Sequence, residues 1–249
     1  MFKLFDRLFF MQAFSLGDCF VLSGVVHYYA ERCQELHVPS RGEFLETLST
    51  LYQDFPNIKV IPINSQDEED VYVNEHKLSK ILGTPLQGEN IRGLILHPLW
   101  DQQLYANHEL PFSLRYKNFK LPKDVNGANE LYQTLVKDGT PYALVHRYTG
   151  DHPHGIPISI ENFRSASGMS PIKIIDIDHT ITNNMMQFLT LIKNASEIHC
   201  VASSFHCLVD SVETSSRLFF HDVREKTSML VNSPWNNHKW IIVRYGQKF

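Results

Sequence analysis

The sequence predicts an α/β protein of two Rossmann-like lobes with parallel sheets, each lobe of minimal size. Strand-like apolar runs alternate with helix-length segments along the whole chain, the pattern of βαβ units. A polar, turn-forming stretch over residues 114–129, with Lys117, Lys120, Pro122, Lys123, Asp124 and Gly127, separates two such series. The 249 residues are 43% hydrophobic, enough to fill ordinary cores and too apolar for a disordered chain. The expected domains are residues 1–124 and residues 125–249.

The elements of the first series follow from local pattern. Leu8 to Phe14 is a short apolar run and reads as a buried strand. Ser15-Leu16-Gly17-Asp18 reads as a turn, and Cys19 to Cys33 carries Phe20, Val21, Gly24, Val25, Tyr28 and Tyr29 at helical spacing. Glu35 to Val38 is the next strand, ended by Pro39, and Gly42 to Phe55 is a helix with Phe44, Leu45, Leu48, Leu51 and Tyr52 on one side. Ile58 to Ile63 is a third strand. Ser65 to Asp70 is an acidic turn, Val71 to Leu82 a helix, and Ile91 to His97 a fourth strand.

In the second series, Asn129 to Lys137 is helical, Tyr142 to His146 and Ile172 to Ile177 are strands, and Asn184 to Asn194 is a helix. Glu197 to Ala202 is a strand and Ser204 to Glu213 a helix, with late strands at Arg217 to Phe220 and Trp240 to Arg244.

Composition removes several function classes. A formal charge of -4 leaves no basic footprint, so a nucleic-acid polymer is not the expected partner. Cys19, Cys33, Cys200 and Cys207 form no C-x-x-C pair and are expected to be reduced, buried thiols of a cytoplasmic protein. Asp6 and Arg7 interrupt the apolar N-terminal segment, which makes it a poor secretory signal and leaves peripheral membrane attachment open. His146, His152 and His154 cluster near Asp151 without a metal-ligand register, so no metal is expected. Absence of a G-x-S-x-G elbow, a Walker loop and a G-x-G-x-x-G fingerprint weakens hydrolase, kinase and dinucleotide-dehydrogenase readings.

Three turns follow strands and suit chemistry, since ligands of parallel α/β sheets bind beyond strand carboxyl ends. At Ser15-Leu16-Gly17-Asp18, Gly17 permits close backbone approach, and Asp18 is either a helix N-cap or a general base. Asp101, in Trp100-Asp101-Gln102-Gln103, is the alternative base, with the same competing role as a cap. In Val145-His146-Arg147-Tyr148-Thr149-Gly150-Asp151, Arg147 offers a forked, permanent cation for phosphate, or pairs with Asp151. Ser203 and Ser204 open a helix after a buried strand, a ready anion site or a plain cap. His221 and Arg224 either reach the same ligand or form the solvated end of a strand.

These residues carry a resemblance. Ser15-Leu16-Gly17-Asp18 with Ser23-Gly24 resembles the first turn of the heptosyltransferase-like GT-B glycosyltransferases. The segment LTLIKNASEIHCVASSFHCLVD resembles their late donor-site segment. Residues 145–151 resemble the H-x-R-x-T-D stretch of the α-1,6-fucosyltransferases, with one residue of spacing changed. The resemblance implies a glycosyltransferase that moves a sugar from a nucleotide-diphosphate donor to an acceptor hydroxyl, inverting and metal-independent. The donor would lie on the second lobe and the acceptor, a glycan by expectation, on the first. Asp18 would be the base, Arg147 would hold the diphosphate, and Ser203 and Ser204 would bond phosphate oxygens. Gly17, His146, Thr149 and Phe205 complete the expected substrate-binding set, and no cofactor is implied beyond the donor itself. The alternatives are a nucleotide-sugar epimerase or hydrolase, a non-catalytic nucleotide-binding module of the same fold, and a scaffold without a nucleotide.

Overall fold

The computed structural model describes residues 5–11, 15–83, 100–150, 152, 154–223 and 240–245. The chain divides into two compact units, Met1–Val125 and Asn126–Phe249. No helix among the described residues is long and apolar enough to cross a membrane.

Among the described residues, unit 1 holds a four-stranded parallel sheet of order β3-β2-β1-β4, built from β1 (Phe5–Met11), β2 (Cys33–Ser40), β3 (Ile58–Pro62) and β4 (Ser79–Leu82). Its helices are α1 (Leu16–Ala30), α2 (Leu45–Tyr52), α3 (Gln66–His76), α4 (Trp100–Ala106) and α5 (Leu114–Lys117). Pro39 does not end β2. The β1 register runs only to Phe9↔His37, so Pro39 lies beyond it, paired with Ile61 alone, where a missing N–H is tolerated. The helix expected from Gly42 is a 3-10 turn, Gly42–Phe44, followed by α2.

Two expectations fail at one place. The acidic run after Ser65 is not a turn but the first turn of α3. The Ser65 hydroxyl accepts from the Glu68 amide at 3.2 Å, and Asp67, Glu68 and Glu69 meet the positive helix end. The helix then stops at His76, and Ser79–Leu82 is a strand beside β1 rather than more helix. The strand expected at Ile91–His97 lies outside the described residues.

Helix α1 is buried on nearly every side, which explains its uniformly apolar sequence. Gly24 packs helix against helix, not helix against sheet. A Cβ there would lie 2.4 Å from the Leu114 carbonyl oxygen of α5 and 2.7 Å from the Tyr105 hydroxyl of α4.

Among the described residues, unit 2 holds a five-stranded parallel sheet of order β6-β5-β7-β8-β9: β5 (Tyr142–His146), β6 (Lys173–Asp176), β7 (Glu197–Cys200), β8 (Arg217–Asp222) and β9 (Trp240–Arg244). Its helices are α6 (Ala128–Val136), α7 (Ile160–Ala166), α8 (Leu189–Asn194) and α9 (Ser204–Ser211). The sequence reading missed α7 and ran α8 together with the 3-10 turn Met185–Phe188.

Strand side chains alternate between the two faces of a sheet. On one face, Tyr142 donates to the Leu191 carbonyl at 2.7 Å, His146 stacks on Phe205, and Phe220 meets His206, so α8 and α9 cover this side. On the other, Phe163 of α7 packs edge-on against His199, Phe219 and His221. Helices on both faces make the unit doubly wound.

Candidate functional site

Each strand order reverses once, and ligands of open α/β sheets bind outside the carboxyl ends of the strands at that reversal. In unit 2 the reversal lies between β5 and β7, because β6 follows β5 on one side and β7 returns on the other. The residues that leave those two strands are His146 and, past Cys200, Ser203. They meet, with the Ser203 hydroxyl 3.3 Å from His146 Nδ1.

The local chain explains the contact. Ser203 has extended backbone and caps α9, its hydroxyl accepting from the His206 amide at 3.4 Å. The cap fixes the hydroxyl at the strand edge and leaves the first amides of an eight-residue helix pointing there. His146 is 8% exposed and stacks on Phe205, ring centroids 4.9 Å apart and 20° from parallel. Burial lowers its pKa to about 4, although the Asp178 charge acts the other way, so the imidazole is neutral at pH 7. Ser204 begins α9 and is half-buried. The Phe205 ring is fully buried between His146 and Phe188, so the side chain orients the imidazole, and only the backbone amide in the first turn of α9 is left to meet a ligand.

Arg147 does not join this group. As the next residue after His146 it turns to the opposite side. Its Nη2 pairs with Asp176 of β6 at 2.7 Å and its Nη1 donates to the Ile158 carbonyl at 2.9 Å. Asp151, the partner weighed from sequence, lies outside the described residues. Gly155 holds the loop against the Arg147 stem with φ +85, and a Cβ there would meet Arg147 Cγ at 3.1 Å. Thr149 forms a bridge with His152, whose amide donates to its hydroxyl at 3.2 Å; its observed role is to shape the loop.

The sequence reading overlooked Asp176-Ile177-Asp178, an Asp-x-Asp pair at the carboxyl end of β6. Burial raises the Asp176 carboxyl and Arg147 opposes the rise. Asp178 is half-buried and held below the ordinary carboxylate range by the Thr180 hydroxyl at 2.5 Å. Among the described residues, no group of three or more His, Cys, Asp or Glu side chains is arranged to hold a metal. His221 is not a solvated strand end; it is 1% exposed inside β8. Arg224 lies outside the described residues.

In unit 1 the reversal lies between β1 and β4, where the Gly83 amide donates to the Met11 carbonyl at 2.7 Å. The expected turn at Ser15–Asp18 is instead the first turn of α1. Ser15 is the N-cap, Gly17 is helical, and Asp18 is the third helical residue. Asp18 accepts from the Ser15 hydroxyl at 2.6 Å, while its own amide donates back at 3.3 Å. Burial pushes its carboxyl up, and the Ser15 bonds act against that rise. Asp101 is excluded as an accessible base: it is fully buried and paired with the fully buried Arg115 at 2.9 Å.

No protein-family model and no curated protein matches the sequence. Among solved structures the chain is similar to E. coli ADP-heptose lps heptosyltransferase II, with a TM-score of 0.56 and 9% identity, over 96% of this chain and 90% of that one. The fold is GT-B-like. A glycosyl transferase of family 9 from Veillonella parvula aligns with a TM-score of 0.49 at 9% identity, over 96% of this chain and 86% of that one. The GT-B-like architecture expected from the sequence is therefore the one observed: two parallel sheets with helices packed on them.

Proposed function

We propose that this chain is a glycosyltransferase whose unit 2 holds a nucleotide-diphosphate sugar at the β5/β7 reversal. One observation carries the reading: the Ser203–His146 contact sits where the strand order turns, at the start of α9. A neutral imidazole, a fixed hydroxyl and free helix-end amides together suit the oxygens of a diphosphate. Likeness to a heptosyltransferase supports the same reading at the level of fold.

In the proposed reaction, unit 1 holds the acceptor and Asp18 takes the proton of its hydroxyl. The acceptor oxygen forms its bond to the anomeric carbon as the bond from that carbon to the diphosphate breaks, inverting the centre. The diphosphate leaves onto the Ser203–Ser204 helix start, with no metal or further cofactor required. Arg147, paired with Asp176 and the Ile158 carbonyl, keeps a supporting role in this proposal by shaping the loop that follows β5. The assignment of residues 145–151 to a fucosyltransferase-like donor loop belongs to this proposal.

The test is a thermal-shift panel of nucleoside diphosphates and their sugars. A ligand present at about 100 times its Kd stabilises by roughly 2.7 kcal/mol. Ser203→Gly keeps most of the capping free energy, losing a few tenths of a kcal/mol, but removes the hydroxyl. The variant is expected to fold and to lose most of the nucleotide shift. A flat panel for the unmodified chain, or an undiminished shift in the variant, contradicts the reading.

A further inference from the structure

A buried sheet face is ordinarily apolar, because a polar group placed there loses its hydration. The α7 side of the unit 2 sheet departs from this along one line. Glu197 and His199 are two apart on β7, and His221 lies on β8, so all three project to that side. His199 Nε2 lies 3.3 Å from Glu197 Oε2, and His199 Nδ1 lies 2.9 Å from His221 Nε2. His221 Nδ1 lies 2.5 Å from the hydroxyl of Tyr245, which follows the end of β9. Glu197, His199 and His221 are 5%, 0% and 1% exposed; Tyr245 is half-buried, so the chain has one wet end.

Glu197 sets the direction of every proton. Burial pushes its carboxyl up, but hydrogen bonds from Arg164 and His199 outweigh this and hold it below its ordinary value; Arg217 lies 3.5 Å from its other oxygen. An ionised carboxylate only accepts, so His199 donates from Nε2. Burial keeps both imidazoles neutral, with pKa values of about 4 for His199 and about 3 for His221. A neutral ring has one N–H, so His199 Nδ1 accepts from His221 Nε2, and His221 Nδ1 accepts from the Tyr245 hydroxyl. The lone pairs of the Tyr245 oxygen then have no partner within the chain of bonds.

Tyr245 also lies near Arg147. It packs on the cluster of Val145, Ile156, Ile158, Ile160, Val201 and Val223, and the carbonyl of Ile158 is the one that Arg147 grips. The Arg147 charge reaches both His221 and Tyr245.

We propose that the Glu197–His199–His221–Tyr245 chain makes the Tyr245 hydroxyl oxygen a dedicated hydrogen-bond acceptor at the carboxyl edge of unit 2, where it recognises a hydroxyl of an anionic ligand near Arg147. The assignment rests on the nucleotide reading and narrows it: the ligand is a ribonucleoside diphosphate or its sugar ester, and a ribose hydroxyl is the donor. Tyr245 is a specificity-determining residue, and the two histidines and Glu197 position it.

Calorimetric titration of the full chain compares ADP, GDP, UDP and CDP with the corresponding dideoxyribose diphosphates. One net hydrogen bond predicts about three- to tenfold tighter binding of the ribose form. Tyr245→Phe, which keeps the ring packing, should bring the ribose form down to the dideoxy affinity and leave the dideoxy affinity unchanged. Equal affinities in the unmodified chain, or discrimination that survives in the variant, overturn the role of Tyr245 and leave the nucleotide site standing. No binding by any diphosphate overturns the nucleotide reading and this ligand with it. Nitrogen-15 spectra of the histidine rings test the proton order without ligand. Both rings should be neutral Nε2–H tautomers at pH 7, and Tyr245→Phe should move the His221 Nδ1 resonance; an imidazolium or an Nδ1–H tautomer at either ring overturns the order.

Discussion

Asp18 sits in the first turn of α1, where a helix end favours negative charge, yet burial raises its pKa against that field and against Ser15. A carboxyl raised above its unfolded value adds stability while protonated, below the unfolded pKa, and loses it as pH rises through the folded value. Once ionised, the group costs stability and is the stronger base for it. Asp18→Asn should melt at an equal or higher temperature while sugar transfer falls about 100- to 10,000-fold and nucleotide affinity is kept. Melting curves, initial rates and calorimetry check the three parts; transfer at the unmodified rate would remove Asp18 from the reaction. In sequence Asp18 and Asp101 look alike, each an acid in the first turn of a helix. They differ through partners that spacing does not reveal, a local Ser15 for one and the buried Arg115 for the other.

The strands of unit 2 carry histidine where apolar residues would be ordinary: His146 on β5, His199 on β7 and His221 on β8. Burial lowers all three to about 4, about 4 and about 3, and His27 in α1 to about 4. A histidine with a lowered folded pKa carries no penalty above its unfolded value. As pH falls below about 6.5 the unfolded chain takes up the proton first, and stability drops until the folded values are reached. Urea unfolding should therefore show a loss between about pH 6.5 and pH 4, of at most about 2 kcal/mol per histidine at pH 5. A stability that holds level from pH 7 to pH 5 would contradict the burial of these rings. Long apolar strands and amphipathic helices were legible because their signals are local periodicities. Helix α3 was misread because Ser65 and three acids look like a turn until the cap bond is seen, and β4 was hidden by its shortness. That His146 and Arg147 take opposite faces follows from strand alternation, and the reading treated them as one cluster.

At the scale of the molecule, each unit winds a parallel sheet that reverses once, and each reversal is followed by a helix opened by serine: Ser15 before α1 and Ser203 before α9. The alternation of strands and helices announced that plan. Neither strand order nor the pairing of Ser203 with His146, 57 residues apart, leaves a trace in one sequence. Tyr245 was passed over for the same reason, because it acts through His221, 24 residues earlier. The central claim is that a nucleoside diphosphate seats on the start of α9. Amide and histidine chemical shifts of the isotope-labelled chain, followed through a titration with the tightest-binding diphosphate, test it most directly. Saturable shifts concentrated at Ser203, Ser204, Phe205 and His146 are the predicted result; saturable shifts that leave those four residues still would contradict it.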